Sequence, residues 1–385
     1  MIVAVPRESH PGEKRVALVP ASVAGLVKAQ LEVRIERGAG QAAGFADQMY
    51  AAAGARVVDS RSEAFAADVL LVVRAAGANP EAGRADGALL RAGQVVIGMC
   101  DPLGAPQAAA ELAAKGVTLL ALELLPRITR AQSMDVLSSQ ATIAGYRAVL
   151  LAATALPKVF PMMITAAGTL NAARVLVVGA GVAGLQAIAT ARRLGAIVSA
   201  YDVRPAVKEQ VQSLGAKFVE MPLDSAAAEG TGGYAQQMDE AFYRRQRELM
   251  TRVVAESDVV ITTAAVPGKK APVLVTAEMV ARMAPGSVIV DLAAERGGNC
   301  ELTRAGQTVL QAGVTIIGPL DLAAETPAHA SQLYAKNMTT FLLYLVKNGS
   351  LSLDLDDEVV RETLIARGGE VVHPRIKQLL EESRS

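Results

Sequence analysis

The sequence is poor in the side chains that most often carry acid–base, thiol and metal chemistry. Its 385 residues include three histidines, two cysteines and no tryptophan, and aromatic residues make up 3%. Cys100 and Cys300 are too few for a disulfide framework and lack metal-ligand spacing, so we predict a reduced compartment and no metal site. His10, His329 and His373 fit structural or surface roles better than catalysis. An enzyme that takes a proton from an alcohol or amine is therefore poorly supported.

The chain also lacks an excess of charge and a long apolar run. It has 38 Lys and Arg against 38 Asp and Glu, and this balance, with few aromatic residues, argues against nucleic-acid binding. The uncharged stretch at residues 159–173 contains Pro161 and Gly168 and is shorter than the ~20 residues that span a bilayer. Charged residues appear early at the N-terminus, before any signal-peptide core develops. We expect no nucleic-acid partner, no export and no direct membrane insertion.

With 385 residues, the chain is long enough for two domains that each have a core. Its hydrophobic fraction of 51% is typical of a globular protein. Short apolar runs alternate with amphipathic segments, which favours α/β structure: two Rossmann-like doubly wound parallel-sheet domains with a cleft between them. We predict a first domain of residues 1–135 completed by 326–385, and a nucleotide-binding domain of residues 136–325. The expected strands include 2–5, 31–35, 69–73, 95–99, 117–122, 174–178, 196–201, 217–221, 259–263, 287–292 and 314–318, and the expected helices include 20–28, 47–53, 106–115, 136–156, 182–194 and 329–347.

A glycine motif follows the apolar strand at residues 174–178. Gly179, Gly181 and Gly184 have the spacing G-x-G-x-x-G, and a helix is predicted directly after them. The first glycine allows a tight turn, the second lets a pyrophosphate approach the backbone, and the third lets the helix pack on the strand. Such a motif alone is weak, but here the strand, turn, helix and second strand occur in order. The sequence therefore predicts dinucleotide binding, with Ala180 and Val182 in the same loop.

An acid ends the second strand of this motif. Asp202 lies 23 residues after Gly179, where a carboxylate accepts hydrogen bonds from an adenosine ribose. Its charge would oppose a 2′-phosphate, so we predict NAD(H) as the nucleotide. Arg204 leaves two interpretations open, since it could serve a 2′-phosphate or be a solvated loop arginine; the second is favoured while Asp202 is present.

Polar residues interrupt the α/β alternation at residues 126–140. Arg127, Gln132 and Asp135 are spaced R-x-x-x-x-Q-x-x-D at the predicted domain junction, and Ser138 follows them. Ligands of open α/β sheets bind beyond the carboxyl ends of the strands, where we expect this segment to lie. The alternative is structural: Asp135 and Ser138 could cap the following helix, and Arg127 could pair with Asp135.

A glycine-rich segment, residues 222–234, lies between a predicted strand and a predicted helix. Gly230, Gly232 and Gly233 make it flexible, and it ends at Tyr234. It predicts either a mobile lid or an ordinary long surface loop.

Several segments together resemble a known family, the NAD(H)-binding component, domain I, of proton-translocating nicotinamide nucleotide transhydrogenases. The segments that carry the resemblance are residues 6–9, 13–20, 127–140, 179–185, 201–205, 230–235, 265–275, 290–300 and 334–338. The Arg127, Gln132, Asp135 pattern and the loop ending in Tyr234 distinguish this group from the related alanine dehydrogenases.

The resemblance implies specific site residues. It implies that Arg127, Gln132, Asp135 and Ser138 hold the nicotinamide and its ribose, with the first three regarded as catalytic. The remaining implied contacts are the pyrophosphate loop Gly179, Ala180, Gly181, Val182 and Gly184; the adenosine contacts Asp202, Val203 and Arg204; the mobile-loop tip Tyr234; and the adenine side Ala264, Val266, Pro267 and Gly268.

The resemblance also implies partners. Members of the family are homodimers that pass hydride from NADH to NADP bound on a separate component, coupled to proton movement through a membrane component. Because the chain ends at Ser385 without membrane helices, it fits versions with a split α subunit. NADP(H) and the membrane part are then expected on partner chains, with this chain attached peripherally to the cytoplasmic face of the inner membrane.

Two other functions remain open. An alanine-dehydrogenase-like enzyme would share the fold, but that family's pattern has a lysine where this chain has Arg74 and a histidine after strand 95–99, where Met99, Cys100 and Asp101 stand. Arg15 is common to both groups and does not discriminate. A non-catalytic NAD(H)-sensing module would keep the same glycines.

Overall fold

The chain folds into two units, each with its own sheet and core. The computed structural model describes residues 1–220, 240–266 and 268–383. Unit 1 comprises Met1–Gln140 and Ala324–Ser385, and unit 2 comprises Ala141–Ala323. The boundary between them falls within one long helix, so the chain passes from unit 1 into unit 2 without a loop.

Strands and helices alternate along most of the chain. The strands are β1 (Ile2–Val5), β2 (Glu32–Glu36), β3 (Arg56–Val58), β4 (Val69–Arg74), β5 (Val95–Met99), β6 (Thr118–Ala121), β7 (Met163–Thr165), β8 (Gly168–Leu170), β9 (Arg174–Val178), β10 (Ile197–Tyr201), β11 (Lys217–Phe218), β12 (Val259–Thr262), β13 (Val288–Asp291), β14 (Gln307–Gln311), β15 (Val314–Gly318), β16 (Val346–Lys347), β17 (Ser350–Leu351), β18 (Leu364–Arg367) and β19 (Glu370–Val371). The helices are α1 (Pro20–Lys28), α2 (Asp47–Ala52), α3 (Arg61–Phe65), α4 (Gly83–Leu89), α5 (Pro106–Ala114), α6 (Val136–Ala155), α7 (Val182–Arg193), α8 (Lys208–Ser213), α9 (Glu240–Ala255), α10 (Ala277–Ala281), α11 (Pro327–Leu345), α12 (Glu358–Thr363) and α13 (Pro374–Glu382).

The sheet of unit 1 has the order β19-β18-β6-β5-β4-β1-β2-β3. Strands β1 to β6 pair in parallel, whereas β18 pairs antiparallel to β6 and β19 antiparallel to β18. The chain moves outward from β1 in one direction through β2 and β3, then returns to its other side at β4. The carboxyl ends of β1 and β4 therefore mark the switch point of this sheet.

Both faces of this sheet are buried. Residues 69–73 of β4 are all buried, as expected for a central parallel strand. On one face Val69 and Leu71 join the core cluster that contains Tyr334 and Phe341 of α11. On the other face Leu70 and Val72 join the cluster that contains residues of α5 and α13. Burial on two sides explains why the sequence reads as a continuous apolar run.

The sheet of unit 2 has the order β11-β10-β9-β12-β13-β15-β14. Its strands pair in parallel except for β14, which pairs antiparallel to β15. The switch point lies between β9 and β12. Helix α7 packs through Ala187 and Ile188 on one face, while Met250 of α9 and Met279 of α10 cover the other.

The predicted α/β class with two Rossmann-like domains is confirmed, and several individual elements differ from expectation. The predicted strand 217–221 is shorter, since β11 ends at Phe218. The short strand β3 and the antiparallel hairpin β7–β8 were not predicted from the sequence. Among the described residues, no helix is both long and apolar enough to span a bilayer.

Candidate nucleotide-binding site

The glycine loop between β9 and α7 has the geometry that its spacing predicts. Gly179 has a φ of +99°, which favours glycine. A Cβ on Gly184 would lie 1.8 Å from the carbonyl oxygen of Gly179, so no larger residue fits there. Among the described residues, nothing lies within 4 Å of a Cβ built on Gly181, so within that part of the chain the backbone at this position borders open space. The first glycine is thus required by its backbone conformation and the third by packing, and the second leaves room for a ligand.

The open space lies at the N-terminus of α7. Gly181 is the residue before the first turn, and within the described residues no side chain caps it. The first turn has no acidic residue, and the N–H groups of such a turn point outward with partial positive charge. This end of the helix suits a phosphate.

Asp202, directly after β10, is tied to the glycine loop. Its Oδ2 accepts a hydrogen bond from the Ala180 N–H at 2.7 Å, and its Oδ1 accepts from the Arg204 N–H at 2.9 Å. The Arg204 guanidinium binds both oxygens, with Nε 3.0 Å from Oδ1 and Nη2 3.0 Å from Oδ2. Arg204 is therefore not a solvated loop arginine, because it neutralises the acid that was expected to receive the ribose.

The loop after β12 completes this edge of unit 2. The Thr263 hydroxyl donates to the Gly179 carbonyl at 3.0 Å. Ala264 is held from both sides by the Asn299 side chain: its N–H donates to Oδ1 at 3.0 Å and its carbonyl accepts from Nδ2 at 2.8 Å. Asn299 Nδ2 also donates to the Pro272 carbonyl, so one amide fixes both ends of the segment that carries Val266 and Gly268.

Asn299 is in turn held by a buried carboxylate at the end of β13. Asp291 is fully buried, and its Oδ2 accepts from the Asn299 and Cys300 N–H groups and from the Thr303 hydroxyl. Its Oδ1 accepts from Thr262 and the Ala293 N–H. Asp291 and Asn299 were not predicted as site residues, and their place in the resembling segment 290–300 was the one signal in the sequence that pointed to them.

The polar segment 127–138 lies in unit 1. Arg127 and Gln132 are exposed, and residues 129–134 form a 3-10 helix whose Ser133 carbonyl accepts from Asn337 of α11. Asp135 accepts from the Ser138 N–H at 2.9 Å and from its hydroxyl at 2.6 Å. The predicted capping of α6 by Asp135 is therefore present, and it orients Asp135 and Ser138 against each other.

A buried charged cluster, not predicted from the sequence, occupies the switch point of unit 1. Glu13 binds Arg15 through both oxygens at 2.8 and 2.6 Å, and Arg74 Nε lies 3.0 Å from Glu13 Oε2. Arg15 Nη1 donates to Gln140 at 2.9 Å. Burial opposes ionisation of Glu13, but hydrogen bonds and charge from Arg15 outweigh it and lower its pKa to about 2. Both guanidinium groups are thus bound to a carboxylate of the chain itself.

Glu8 lies beside this cluster, and its pKa is shifted in the opposite direction from that of Glu13. Its oxygens accept from the N–H groups of Val73 and Arg74 at the end of β4. Burial nevertheless raises the pKa of Glu8 to about 8, and the nearby charge of Glu13 adds to this effect. The pKa values of these two neighbouring carboxyl groups are therefore shifted in opposite directions, upward for Glu8 and downward for Glu13.

Two predicted site residues, Tyr234 and Pro267, lie outside the described residues, as does the predicted lid at 222–234. Of the histidines, His373 is buried in unit 1, where burial lowers its pKa, and His329 is exposed. Within the described ranges, no group of three or more His, Cys, Asp or Glu is placed to hold a metal ion.

The glycine loop, the bare helix N-terminus and the acid after β10 define unit 2 as a Rossmann-type dinucleotide-binding domain. Comparison with known proteins gives the family. The chain matches the family "Alanine dehydrogenase/PNT, N-terminal domain" over residues 4–144 and "Alanine dehydrogenase/PNT, C-terminal domain" over residues 148–374, and it belongs to this family.

The similar proteins include both transhydrogenases and an alanine dehydrogenase. The chain is 47% identical over 380 residues to the first part of the NAD(P) transhydrogenase subunit alpha of Rhodospirillum rubrum, covering 98% of this chain and 99% of that one. The structure of a transhydrogenase from Sinorhizobium meliloti superimposes with a TM-score of 0.87 at 49% identity, covering 97% of this chain and 100% of that one. An L-alanine dehydrogenase structure superimposes with a TM-score of 0.83 at 27% identity, covering 99% of each. The predicted resemblance is confirmed, and identity is higher on the transhydrogenase side.

Proposed function

We propose that this chain is the NAD(H)-binding subunit of a proton-translocating transhydrogenase. It holds NADH while hydride passes to NADP+ on a partner chain, and this transfer is coupled to proton movement through a membrane partner. The names of the transhydrogenase relatives support the assignment, and one structural observation carries it against the dehydrogenase alternative.

That observation is that Arg15 and Arg74 already form ion pairs with Glu13. An enzyme acting on a small amino or keto acid needs a cation to bind the substrate carboxylate, and a paired guanidinium is the usual choice. Here Glu13 already takes two hydrogen bonds from Arg15 and one from Arg74. A substrate acid would have to displace a side chain whose exposed fraction is 1%. The arrangement therefore supports a reaction without such a substrate.

Hydride transfer between two nicotinamides is such a reaction. NADH loses two electrons and one proton as hydride and becomes NAD+, while NADP+ gains the hydride and becomes NADPH. No proton is exchanged with a side chain in this step, so neither an acid nor a base is needed. The protein contributes by orienting the donor and by excluding water, which agrees with the scarcity of histidine.

The predicted site residues take defined roles in this proposal. Open space beside Gly181 and the bare N-terminus of α7 support pyrophosphate binding by the loop, and Asp202 supports ribose binding. The full set is Gly179, Ala180, Gly181, Val182 and Gly184 for the pyrophosphate; Asp202, Val203 and Arg204 for adenosine; Ala264, Val266, Pro267 and Gly268 for the adenine side; Arg127, Gln132, Asp135 and Ser138 for the nicotinamide and its ribose; and Tyr234 for the closing loop.

We also propose that the chain acts as a homodimer and meets the membrane through partner subunits on the cytoplasmic side. A feature that supports a protein partner for unit 2 is the hairpin β7–β8. Met162, Ile164 and Leu170 are exposed there, and Ile164 has 77% of its surface accessible. Clustered exposed apolar side chains on a two-stranded hairpin are typical of an interaction surface.

Mixing tests the proposal. The purified chain is combined with a separately expressed NADP(H)-binding partner, and NADPH formation from NADH is followed. The proposal predicts turnover only in the mixture. Alanine-dependent formation of NADH by the chain alone would identify a dehydrogenase, and NADH binding without turnover in either case would identify a sensing module.

A further inference from the structure

A pocket inside unit 1 lies apart from every residue assigned to the nucleotide. It has a volume of about 460 Å³ and is enclosed by β4, β5, α4 and α5. Its apolar lining includes Phe65, Leu70, Val72, Val96 and Leu112. Ligand sites are commonly pockets of roughly 300–1,000 Å³ with mainly apolar walls and few polar groups. The size and the lining both suit a small organic molecule.

The pocket exists because α4 presents glycine to the sheet. Gly87 is the buried residue of this helix, and it lines the pocket together with Gly83. A helix that packs on a sheet normally places a large apolar side chain there. Glycine within a helix is unfavourable relative to alanine, and an apolar cavity left empty is unfavourable as well. Both unfavourable features occur together at Gly87. Their coincidence indicates that a ligand fills the space.

One polar group in this pocket has no hydrogen-bond partner in the part of the chain that the structure describes. Asn79 is 3% exposed and lines the pocket, and its Oδ1 accepts no hydrogen bond from any described residue. Its orientation is fixed by a chain of donors: Ser9 gives its only proton to Asp86 at 2.7 Å and must accept from Asn79 Nδ2 at 2.8 Å. The free atom is therefore an acceptor, and a ligand N–H or O–H would satisfy it.

Charge at the mouth is positive. Arg84, Glu111 and Lys115 line the pocket and are exposed, so they mark its opening. Among the described residues Arg84 has no ion pair, and Lys115 donates to the Gly87 carbonyl. The two other charged lining residues are already paired, Asp86 with Arg61 and Arg74 with Glu13. One positive charge is left in excess, which would attract an anionic group.

We propose that this pocket binds a small aromatic anion that carries an N–H or O–H donor. The ring contacts Leu70, Val72 and Leu112, the donor meets Asn79 Oδ1, and the anionic group meets Arg84 at the mouth. This site is independent of the nucleotide and of the proposed hydride transfer.

The test uses 8-anilinonaphthalene-1-sulfonate, which combines apolar rings, one N–H donor and a sulfonate. Its fluorescence is titrated with the full chain in the presence of saturating NAD+, which blocks the nucleotide site. The proposal predicts one bound probe per chain, and a crystal soaked with the probe shows it beside Leu112. Absence of binding in the presence of saturating NAD+ would overturn the proposal.

A pair of variants at Gly87 locates the probe. Of the residues that the structure describes, a Cβ there meets only Lys115 Nζ at 3.6 Å and Leu112 Cδ2 at 3.7 Å, so Gly87→Ala fits and leaves most of the space. Gly87→Leu fills the pocket, and both changes favour the helix, which thermal unfolding checks. Binding should persist in Gly87→Ala and be lost in Gly87→Leu. Equal binding by the two variants contradicts the site.

The charge is tested by Arg84→Ala, with Arg375→Ala as the matched removal of an exposed arginine elsewhere in unit 1. Loss of a charge-assisted hydrogen bond should weaken probe binding about tenfold in the first variant and leave it unchanged in the second. An equal effect of the two substitutions would show a general charge effect and would refute the assigned contact.

Discussion

The guanidinium of Arg204 binds the carboxylate of Asp202 in a bidentate manner, with two hydrogen bonds of 3.0 Å from Nε and Nη2. Asp202 is the acid expected to face the adenosine ribose, and its side chain is 7% exposed. Because the pair is bidentate and largely buried, the negative charge that rejects a 2′-phosphate is partly compensated from within the loop. Nucleotide preference therefore depends on two residues, and the two can be separated by mutation.

Removing the acid should weaken NADH binding and relax the preference against NADPH. In Asp202→Ala the ribose loses its acceptor, and Arg204 is released to face a 2′-phosphate. The loss of a hydrogen bond to a charged group predicts roughly tenfold weaker NADH binding. Dissociation constants for NADH and NADPH measure both effects, and unchanged affinity with unchanged preference would refute the ribose assignment.

Removing the arginine should change the preference between NADH and NADPH in the opposite direction. Arg204→Ala leaves Asp202 with its full charge, so the rejection of NADPH should increase while NADH binding falls less than in Asp202→Ala. The ratio of the two dissociation constants is the measurement. A variant that binds NADPH better than the wild type would show that Arg204 has no neutralising role.

Asn299 should act as a positioning residue for the nucleotide loop. Asn299→Ala leaves the Ala264 N–H, the Ala264 carbonyl and the Pro272 carbonyl without their partner. We expect a loss of about 2–4 kcal/mol in the free energy of unfolding and weaker NADH binding. Asn299→Asp retains the acceptor for the Ala264 N–H and should bind NADH better than Asn299→Ala. If both variants bind NADH as the wild type does, the loop is not positioned by this amide.

Gln132 should affect transfer more than binding. Gln132→Asn shortens an exposed amide without touching the pyrophosphate loop. Hydride transfer to the NADP(H)-binding partner should slow, because the ring is misplaced, while NADH affinity stays nearly constant. Ser133→Ala, a change at the exposed neighbour, is the control. A parallel loss of affinity and rate in Gln132→Asn would instead indicate a general binding role.

Stability should depend on pH through Glu123. Its Oε1 accepts from the Cys100 and Asp101 N–H groups at 2.6 Å each, while its buried Oε2 has no partner among the described residues. Burial raises its pKa to about 7, so the folded chain holds a proton that the unfolded chain releases above about pH 4.5. This contribution is complete below pH 4.5 and is lost as pH rises to 7.

Denaturant unfolding between pH 5 and pH 8 measures that dependence. The free energy of unfolding should fall with rising pH, and the Glu123 share should be on the order of 2 kcal/mol. Glu123→Gln retains the acceptor oxygen and does not titrate, so its pH slope should be shallower than that of the wild type. Equal slopes would show that Glu123 is ionised in the folded chain at all these values.

The sequence predicted those elements whose signal is local. Helix α1 was predicted at its observed bounds because Pro20 fixes its start. Strand β4 was predicted because burial on both faces gives a continuous apolar run. Strand β14 was not predicted: it is an edge strand whose five residues are mostly exposed, and it has no apolar periodicity.

The residues of the candidate site likewise divide into those with a local signal in the sequence and those without one. The glycines and Asp202 could be predicted as site residues because a nucleotide-binding loop imposes a spacing along the chain. Glu13 was missed as a partner of Arg74 since the two lie 61 residues apart and meet only through the order of strands. Asn299 was missed for a similar reason, because its contact with Ala264 spans 35 residues. Long-range polar contacts depend on topology, which a single sequence does not give.

The most direct test of direct hydride transfer follows the hydrogen itself. NADH carrying deuterium on the transferred position of C4 is mixed with NADP+, this chain and the NADP(H)-binding partner, and the NADPH is analysed by mass spectrometry. Transfer without an acid or base predicts that the deuterium appears in NADPH and that none is washed out into water. Deuterium in the solvent, or NADPH without deuterium, would contradict direct transfer between nucleotides.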